Sequence, residues 1–270
     1  FYDCGGILTV KCNIANSFAQ SSSSNTSYYS YTNSYHWLYG SDFSTIKIEN
    51  TVSTIGGYAF KDLPSTTKIE VAADNTIKTI GQYAFYGCSM LTRIPMNNTL
   101  TSIGTYAFYN CAGLTEINIP DSVTSLGSYA FYNCAGLQKA TLGKNISAIN
   151  DYTFYGCPGL TAITLPDKIT SIGKYAFHNV HSIELIFMGC GNNGNISIGE
   201  YAFQNCNNVH VEVLCLNGLK FNTLYENVFG NNAVIHTPCG SAGNYEGKGW
   251  IVNPDGGCVS TTRQSGYFCL

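Results

Sequence analysis

The stretch Ile103-Gly-Thr-Tyr-Ala-Phe108-Tyr-Asn-Cys111 decides the fold, because the chain writes it repeatedly. Variants occupy 55–60, 80–85, 126–131, 149–154, 172–177, 198–203 and, in degraded form, 224–229. The Phe residues at 60, 85, 108, 131, 154, 177, 203 and 229 lie 25, 23, 23, 23, 23, 26 and 26 residues apart. A period of this length means stacked supersecondary units, each burying its apolar face against its neighbours. The chain therefore reads as one elongated solenoid.

Each unit can be aligned on its Phe. Six residues on stands an apolar residue (Leu91, Leu114, Leu137, Leu160, Ile183, Val209). Nine on come Ile94, Ile117, Ala140, Ile163 and Ile186, and eleven on come Met96, Ile119, Leu142, Leu165, Met188 and Leu214. The closing I-x-I has period two, which predicts a strand with one face buried. Pro120 and Pro166 follow such strands and stop the ladder. A second apolar pair follows, as in Val123-Thr-Ser-Leu126, and then Gly at 56, 81, 104, 127, 173 and 199, with Asn150 in one copy. Gly replaced by Asn suggests a left-handed backbone position. Ile103, Ala107 and Cys111 at i, i+4, i+8 predict a short helical turn, ended by Gly or Asn at 87, 110, 133, 156, 179 and 205.

The expected fold is a leucine-rich-repeat solenoid, a right-handed β/α coil of about eight repeats of 23–26 residues. A parallel sheet would form one face and short helical or irregular turns the other. At about 4.8 Å per strand, the stack would be roughly 35–40 Å long. Residues 1–40 read as an N-terminal cap with a Ser/Tyr-rich loop and a short strand at 7–10, 41–238 as the repeats, and 239–270 as a C-terminal cap or linker.

The segment Leu114-Thr-Glu-Ile-Asn-Ile-Pro-Asp-Ser-Val-Thr-Ser-Leu-Gly-Ser-Tyr-Ala-Phe-Tyr-Asn-Cys134 resembles the BspA-like branch of leucine-rich repeat proteins. The ending Thr237-Pro-Cys-Gly-Ser-Ala-Gly-Asn-Tyr245 also looks like the closing segment often seen in that family. The resemblance implies a secreted or cell-surface protein with a non-enzymatic adhesion or protein-binding role. Its partner would be a host matrix or cell-surface protein. The family repeat marks a scaffold and brings no ligand residues with it.

Composition narrows the remaining classes. Apolar residues make up 44% of the 270, enough for a continuous core, while charged residues are 11% and the formal net charge is −3. The 13 Lys and Arg are scattered singly, which argues against nucleic acid as a partner. No apolar run approaches the roughly 18 residues of a spanning helix, so membrane insertion is not expected.

No catalytic, cofactor-binding or metal-binding constellation is visible. His178-x-x-His181 lacks a third ligand, and carboxylates stand singly, giving no acid–base pair. Cys88, Cys111, Cys134, Cys157 and Cys206 share a column with Leu63 and Val180, which reads as reduced core packing. For the other seven cysteines, disulfides Cys4–Cys12, Cys258–Cys269, and Cys215 with Cys190 or Cys239 are candidates.

Two surfaces could bind. Eight and ten residues past each Phe, the strand's outer side begins with Arg93, Glu116 and Lys139, whose signs alternate as in a cross-strand ladder. On the same count it turns apolar at Leu185, Phe187, Val211 and Val213, an expected contact patch. Alternatively Tyr86, Tyr109, Tyr132 and Tyr155 line a flank where glycan rings could stack. A structural spacer with neither activity is the third reading.

Overall fold

The computed structural model describes residues 7–10, 42–187, 195–206, 208–213, 220–224, 228, 233–236 and 252–253. The chain coils as a parallel β-solenoid of about seven turns. The main sheet begins with β1 (Ile7–Val10), β2 (Thr45–Ile48) and β4 (Lys68–Val71). It continues through β7 (Glu116–Asn118), β9 (Lys139–Thr141), β11 (Ala162–Leu165), β13 (Ser182–Phe187), β15 (Asn208–Val213), β17 (Ala233–His236) and β18 (Val252–Asn253). An isolated parallel bridge, Lys68 to Arg93, joins the two parts. The sequence-predicted strand at 7–10 is thus a rung of this ladder, paired with β2.

The second apolar pair of each unit builds a narrow sheet of mostly two-residue strands. Its first block is β3 (Thr54–Ile55), β5 (Thr79–Ile80), β6 (Ser102–Ile103) and β8 (Ser125–Leu126). Its second block is β10 (Ala148–Ile149), β12 (Ser171–Ile172), β14 (Asn195–Ile198) and β16 (Lys220–Leu224).

The third side corrects the expectation of a helical turn: no helix occurs among the described residues. Half of the turn's amides leave the coil altogether. Tyr106, Phe108 and Asn110 donate to the carbonyls of Ser128, Ala130 and Tyr132 in the next coil, at 3.1, 2.8 and 2.8 Å. The intervening Ala107, Tyr109 and Cys111 donate three residues back within their own coil. The coil-to-coil half of this pattern repeats in full in the coils that begin at Tyr58, Tyr83, Tyr129, Tyr152 and Tyr175. A helix would need all these amides for itself, so coil-to-coil bonding takes its place.

That alternation requires left-handed residues, and the structure puts them where a bulky residue is least expected. Tyr58, Tyr83, Tyr106, Tyr129, Tyr152, Tyr175 and Tyr201 all have φ between 53° and 62°. Four places on, Asp62, Gly87, Asn110, Asn133, Gly156, Asn179 and Asn205 have φ between 54° and 75°, as six of those seven sites predict from sequence. A non-Gly residue in this region costs about 1–2 kcal/mol; for the tyrosines the amide bond to the next coil and ring stacking offset it.

The Ile-Gly glycines, by contrast, are not left-handed. A Cβ at Gly81, Gly104, Gly127, Gly173 or Gly199 would lie within 2.6 Å of the backbone nitrogen of residue 57, 82, 105, 151 or 174 in the preceding coil. Close approach lets each glycine amide donate to the preceding Ile carbonyl at 2.7–2.8 Å; Gly127, for example, bonds Ile103. Asn150 is the instructive exception. Its Nδ2 donates to the Leu126 carbonyl, doing with a side chain what the glycines do with the backbone, and the narrow sheet divides there between β8 and β10.

Inside, Phe60, Phe85, Phe108, Phe131, Phe154, Phe177 and Phe203 form one buried column, with ring centroids 5.2–5.6 Å apart. The eighth repeat's Phe229, most of 1–40 and most of 239–270, with the expected caps and the seven terminal and loop cysteines, lie outside the described residues. Gly127→Ala is expected to lower stability by about 2–3 kcal/mol through overpacking, while Asn133→Gly, at a left-handed site, should shift it by less than about 1 kcal/mol. Urea denaturation of both variants measures this. Equal tolerance at the two sites would contradict the close approach.

Candidate interaction surfaces

The outward rows of the main sheet follow from its register. Lys68 bridges to Arg93, and Glu116 pairs with Lys139, Lys139 with Ala162, Ala162 with Glu184 and Glu184 with His210. Beside this row run Asn118, Thr141 and Thr164, all exposed. The sequence-predicted charge ladder is present: Glu116 lies 4.0 Å from Arg93 Nη2 and 3.7 Å from Lys139 Nζ. It has a counterpart one step earlier, where Glu70 lies 3.6 Å from Lys47 and 2.6 Å from Lys68. The Lys68 hydrogen bond holds the Glu70 carboxyl below the usual range.

The expected apolar continuation does not hold at Leu185, which is 1% exposed and belongs to the core. Leu185 pairs with Ile163, yet it lies eight residues past its Phe where Ile163 lies nine. The coil of Phe177 keeps its buried sixth residue, Ile183, in the column of Leu160, and lacks one residue between Ile183 and Leu185. Since strand side chains alternate with period two, a slip of one exchanges the faces. The outward residues there are Glu184 and His210, both exposed. In the backbone ladder Phe187 pairs with Leu165 and Val213, and Val211 with Leu185; the side chains of Phe187, Val211 and Val213 lie outside the described residues.

Both tyrosine columns stack along the axis. The left-handed column from Tyr58 to Tyr201 has centroids 4.5–5.0 Å apart. In the second column Tyr86, Tyr109, Tyr132 and Tyr155 follow at 4.7, 4.6 and 4.6 Å, with rings within 4° of parallel. His178, at the same position of the next coil, continues it at 4.6 Å from Tyr155. At the other end Lys61 Nζ sits 5.1 Å over the Tyr86 ring. A sugar stacking on tyrosine needs an uncovered ring face, and here each face is covered by the next ring, leaving edges and hydroxyls outward. Burial and adjacent phenols push Tyr129 and Tyr132 up to about 12, so these two keep their protons near neutral pH.

The five column cysteines are buried, unpaired thiols. Each Sγ donates to a Phe carbonyl of the preceding coil at 3.1–3.2 Å, as Cys134 does to Phe108. Burial pushes Cys88, Cys157 and Cys206 up to about 12 and holds Cys111 and Cys134 well above the ordinary thiol range, so none serves as a nucleophile near neutral pH. Among the described residues no group of three or more His, Cys, Asp or Glu could hold a metal ion. The gap lined by Ile77, Pro95 and Leu100, about 10 Å³, is too small for a small-molecule substrate. No described helix is long and apolar enough to cross a membrane.

Three laddered faces, stacked identical side chains and no assembled reaction centre among the described residues define a leucine-rich-repeat solenoid scaffold. The chain matches the BspA type leucine rich repeat region, in six copies, over residues 11–138 and 124–237, and it belongs to that family. It is similar to a leucine-rich repeat protein from Bacteroides ovatus, with 27% identity and a TM-score of 0.55 over 70% of this chain. It spans about half, 51%, of that protein's chain. The T. pallidum leucine-rich repeat protein TpLRR shares the fold at 21% identity and a TM-score of 0.53, with 75% of this chain and 77% of that one covered. A leucine rich cell surface protein from Faecalibacterium prausnitzii aligns at 17% identity and a TM-score of 0.34, over 83% of this chain and 90% of that one. No curated protein matches the chain.

His178 makes a pH prediction. It is 8% exposed, its Nδ1 is buried without a hydrogen-bond partner, and burial lowers its pKa below the ordinary 6.5. The unfolded chain then binds the proton more readily than the native one, so His178's contribution is intact above about pH 6.5 and is lost as pH falls. Thermal melts from pH 7.5 down to 5 should fall more steeply for the wild type than for His178→Gln; parallel curves would contradict this. Iodoacetamide at pH 8 should leave Cys88, Cys111, Cys134, Cys157 and Cys206 unmodified in the native protein and modify them in urea, read by peptide mass spectrometry.

Proposed function

We propose that this protein is a non-enzymatic extracellular binding module that engages a partner protein through the outward rows of its main sheet. A host matrix or cell-surface protein is the expected partner class. The observation that carries the reading is the face itself: Arg93, Lys139, Asn118, Thr141 and Thr164 stand exposed, with Glu116 half-buried between the two cations, on a parallel ladder. Neighbouring rungs at about 4.8 Å give a partner a regular, pre-organised set of polar contacts. The five described thiols are protonated and buried, and the described carboxylates sit in surface ion pairs or stand singly, which supports a role without catalysis. Family membership and the Ser-, Thr-, Asn- and Tyr-rich surface support secretion or surface display.

The face can be blocked without touching the core. Thr141 and Thr164 pair side by side on β9 and β11 and are both exposed, so Thr141→Tyr with Thr164→Tyr crowds the sheet without changing its charge or touching the core. In a solid-phase assay against matrix proteins and a mucin-type glycan panel, the wild type should bind a protein saturably and the double variant at least about tenfold more weakly. Binding to glycans alone, reduced by Tyr109→Ala, would move the site to the tyrosine flank and overturn this reading.

A further inference from the structure

Building on that sheet-face reading, we infer that the main sheet between β2 and β9 receives an acidic, extended segment of the partner polypeptide. Two carboxylates there are each held between two cations: Glu70 between Lys47 and Lys68, and Glu116 between Arg93 and Lys139. Four cations against two carboxylates leave a formal surplus of two positive charges on this face, although the whole chain carries −3.

Three of the four cations are also the outermost groups, Lys47 at 44% lying level with the carboxylates. The side chains of Lys68, Arg93 and Lys139 are 63%, 78% and 69% exposed, against 39% and 42% for Glu70 and Glu116. An approaching ligand meets ammonium and guanidinium heads before it meets carboxylate. The existing pairs are surface pairs that hold little free energy, so an incoming carboxylate competes on equal terms. Arg93, only 4.0 Å from its partner oxygen, can turn its planar fork to a carboxylate and bind it bidentately.

Spacing and extent narrow the partner further. Lys68 and Arg93 occupy adjacent rungs, and Lys139 lies two rungs past Arg93, so cationic heads recur at about 5 and about 10 Å. An extended polypeptide laid across the rungs advances about 3.4 Å per residue and meets them with acids two or three residues apart. Past β9 the row becomes Ala162 and then Glu184, which ends the attraction and sets a footprint of a few rungs. Exposed Thr115, Gln138 and Asn118 alongside offer both donors and acceptors, as a backbone of N–H and C=O groups requires. A surplus of two suits a segment with two or three carboxylates better than a glycan sulfated at every residue.

Fluorescence anisotropy on the whole chain tests this, with a labelled alternating Glu-Thr peptide, its Lys-Thr counterpart and a sulfated oligosaccharide. The acidic peptide alone should bind, and its affinity should fall about tenfold or more from low to high salt. Arg93→Ala and Lys139→Ala should each weaken it about three- to tenfold, whereas Glu116→Gln should strengthen it. Equal binding of the basic peptide, binding of the sulfated oligosaccharide alone, or indifference to Arg93→Ala would overturn the inference. The charge-neutral Thr141→Tyr, Thr164→Tyr variant keeps the two claims apart. If it abolishes protein capture while the acidic peptide does not bind the wild type, only this inference falls. If protein capture survives it, the sheet-face reading falls as well.

Discussion

Each coil of this chain must offer its neighbour a line of backbone donors and acceptors on all three sides at once, at a single rise of about 4.8 Å. The main sheet meets that demand with ordinary parallel pairing. The narrow sheet meets it by removing Cβ atoms, so that Gly127 can press against Thr105 and bond Ile103. The turn side meets it by giving up helix and placing Tyr129 and Asn133 in the left-handed region, so that alternate amides point along the axis. The rest of the structure depends on this shared rise.

A common rise aligns like residues in columns, and each column needs a side chain that tolerates its own copy as a neighbour. Flat rings do so by stacking, which accounts for the Phe and both Tyr columns. A small thiol does so by donating to a backbone carbonyl one coil back, as Cys157 does to Phe131. Charge does so best by alternating in sign, since like charges on adjacent rungs repel; where Lys68 meets Arg93, each cation is paired instead with a carboxylate, Glu70 and Glu116. Arg93, Glu116 and Lys139 follow that rule, and the scarcity of charge elsewhere in the repeats agrees with it.

Much of this was legible in the sequence. The repeat, the strands, the buried thiols and the left-handed site at Asn110 and its equivalents follow from spacing and residue type. Three features did not. The Ile-Gly glycines looked left-handed because both reasons for glycine, φ and close approach, leave the same letter in the sequence. The left-handed tyrosines were hidden, since only the hydrogen bonds to the next coil make such a backbone worthwhile for a bulky residue. Leu185 was assigned to the wrong face because a count from Phe177 cannot see one missing residue inside β13, between Ile183 and Leu185. The strict alternation Ile183-Glu-Leu185, where earlier coils have two residues between the apolar positions as in Leu160-Thr-Ala-Ile163, was the available signal.

Of the candidate site, the charged rows could be read from the alternation of Arg93, Glu116 and Lys139. The closing of the Tyr109 and Tyr132 ring faces could not, because stacking depends on side-chain rotation as well as on column position. The central claim is that the turn side is a ladder between coils and not a set of separate turns. Residue-resolved amide hydrogen exchange tests it most directly. The account predicts that Tyr106, Phe108, Asn110, Tyr129, Phe131 and Asn133 exchange within about tenfold of the amides of β9 and β11. Rapid exchange at these six while the main sheet stays protected would contradict it.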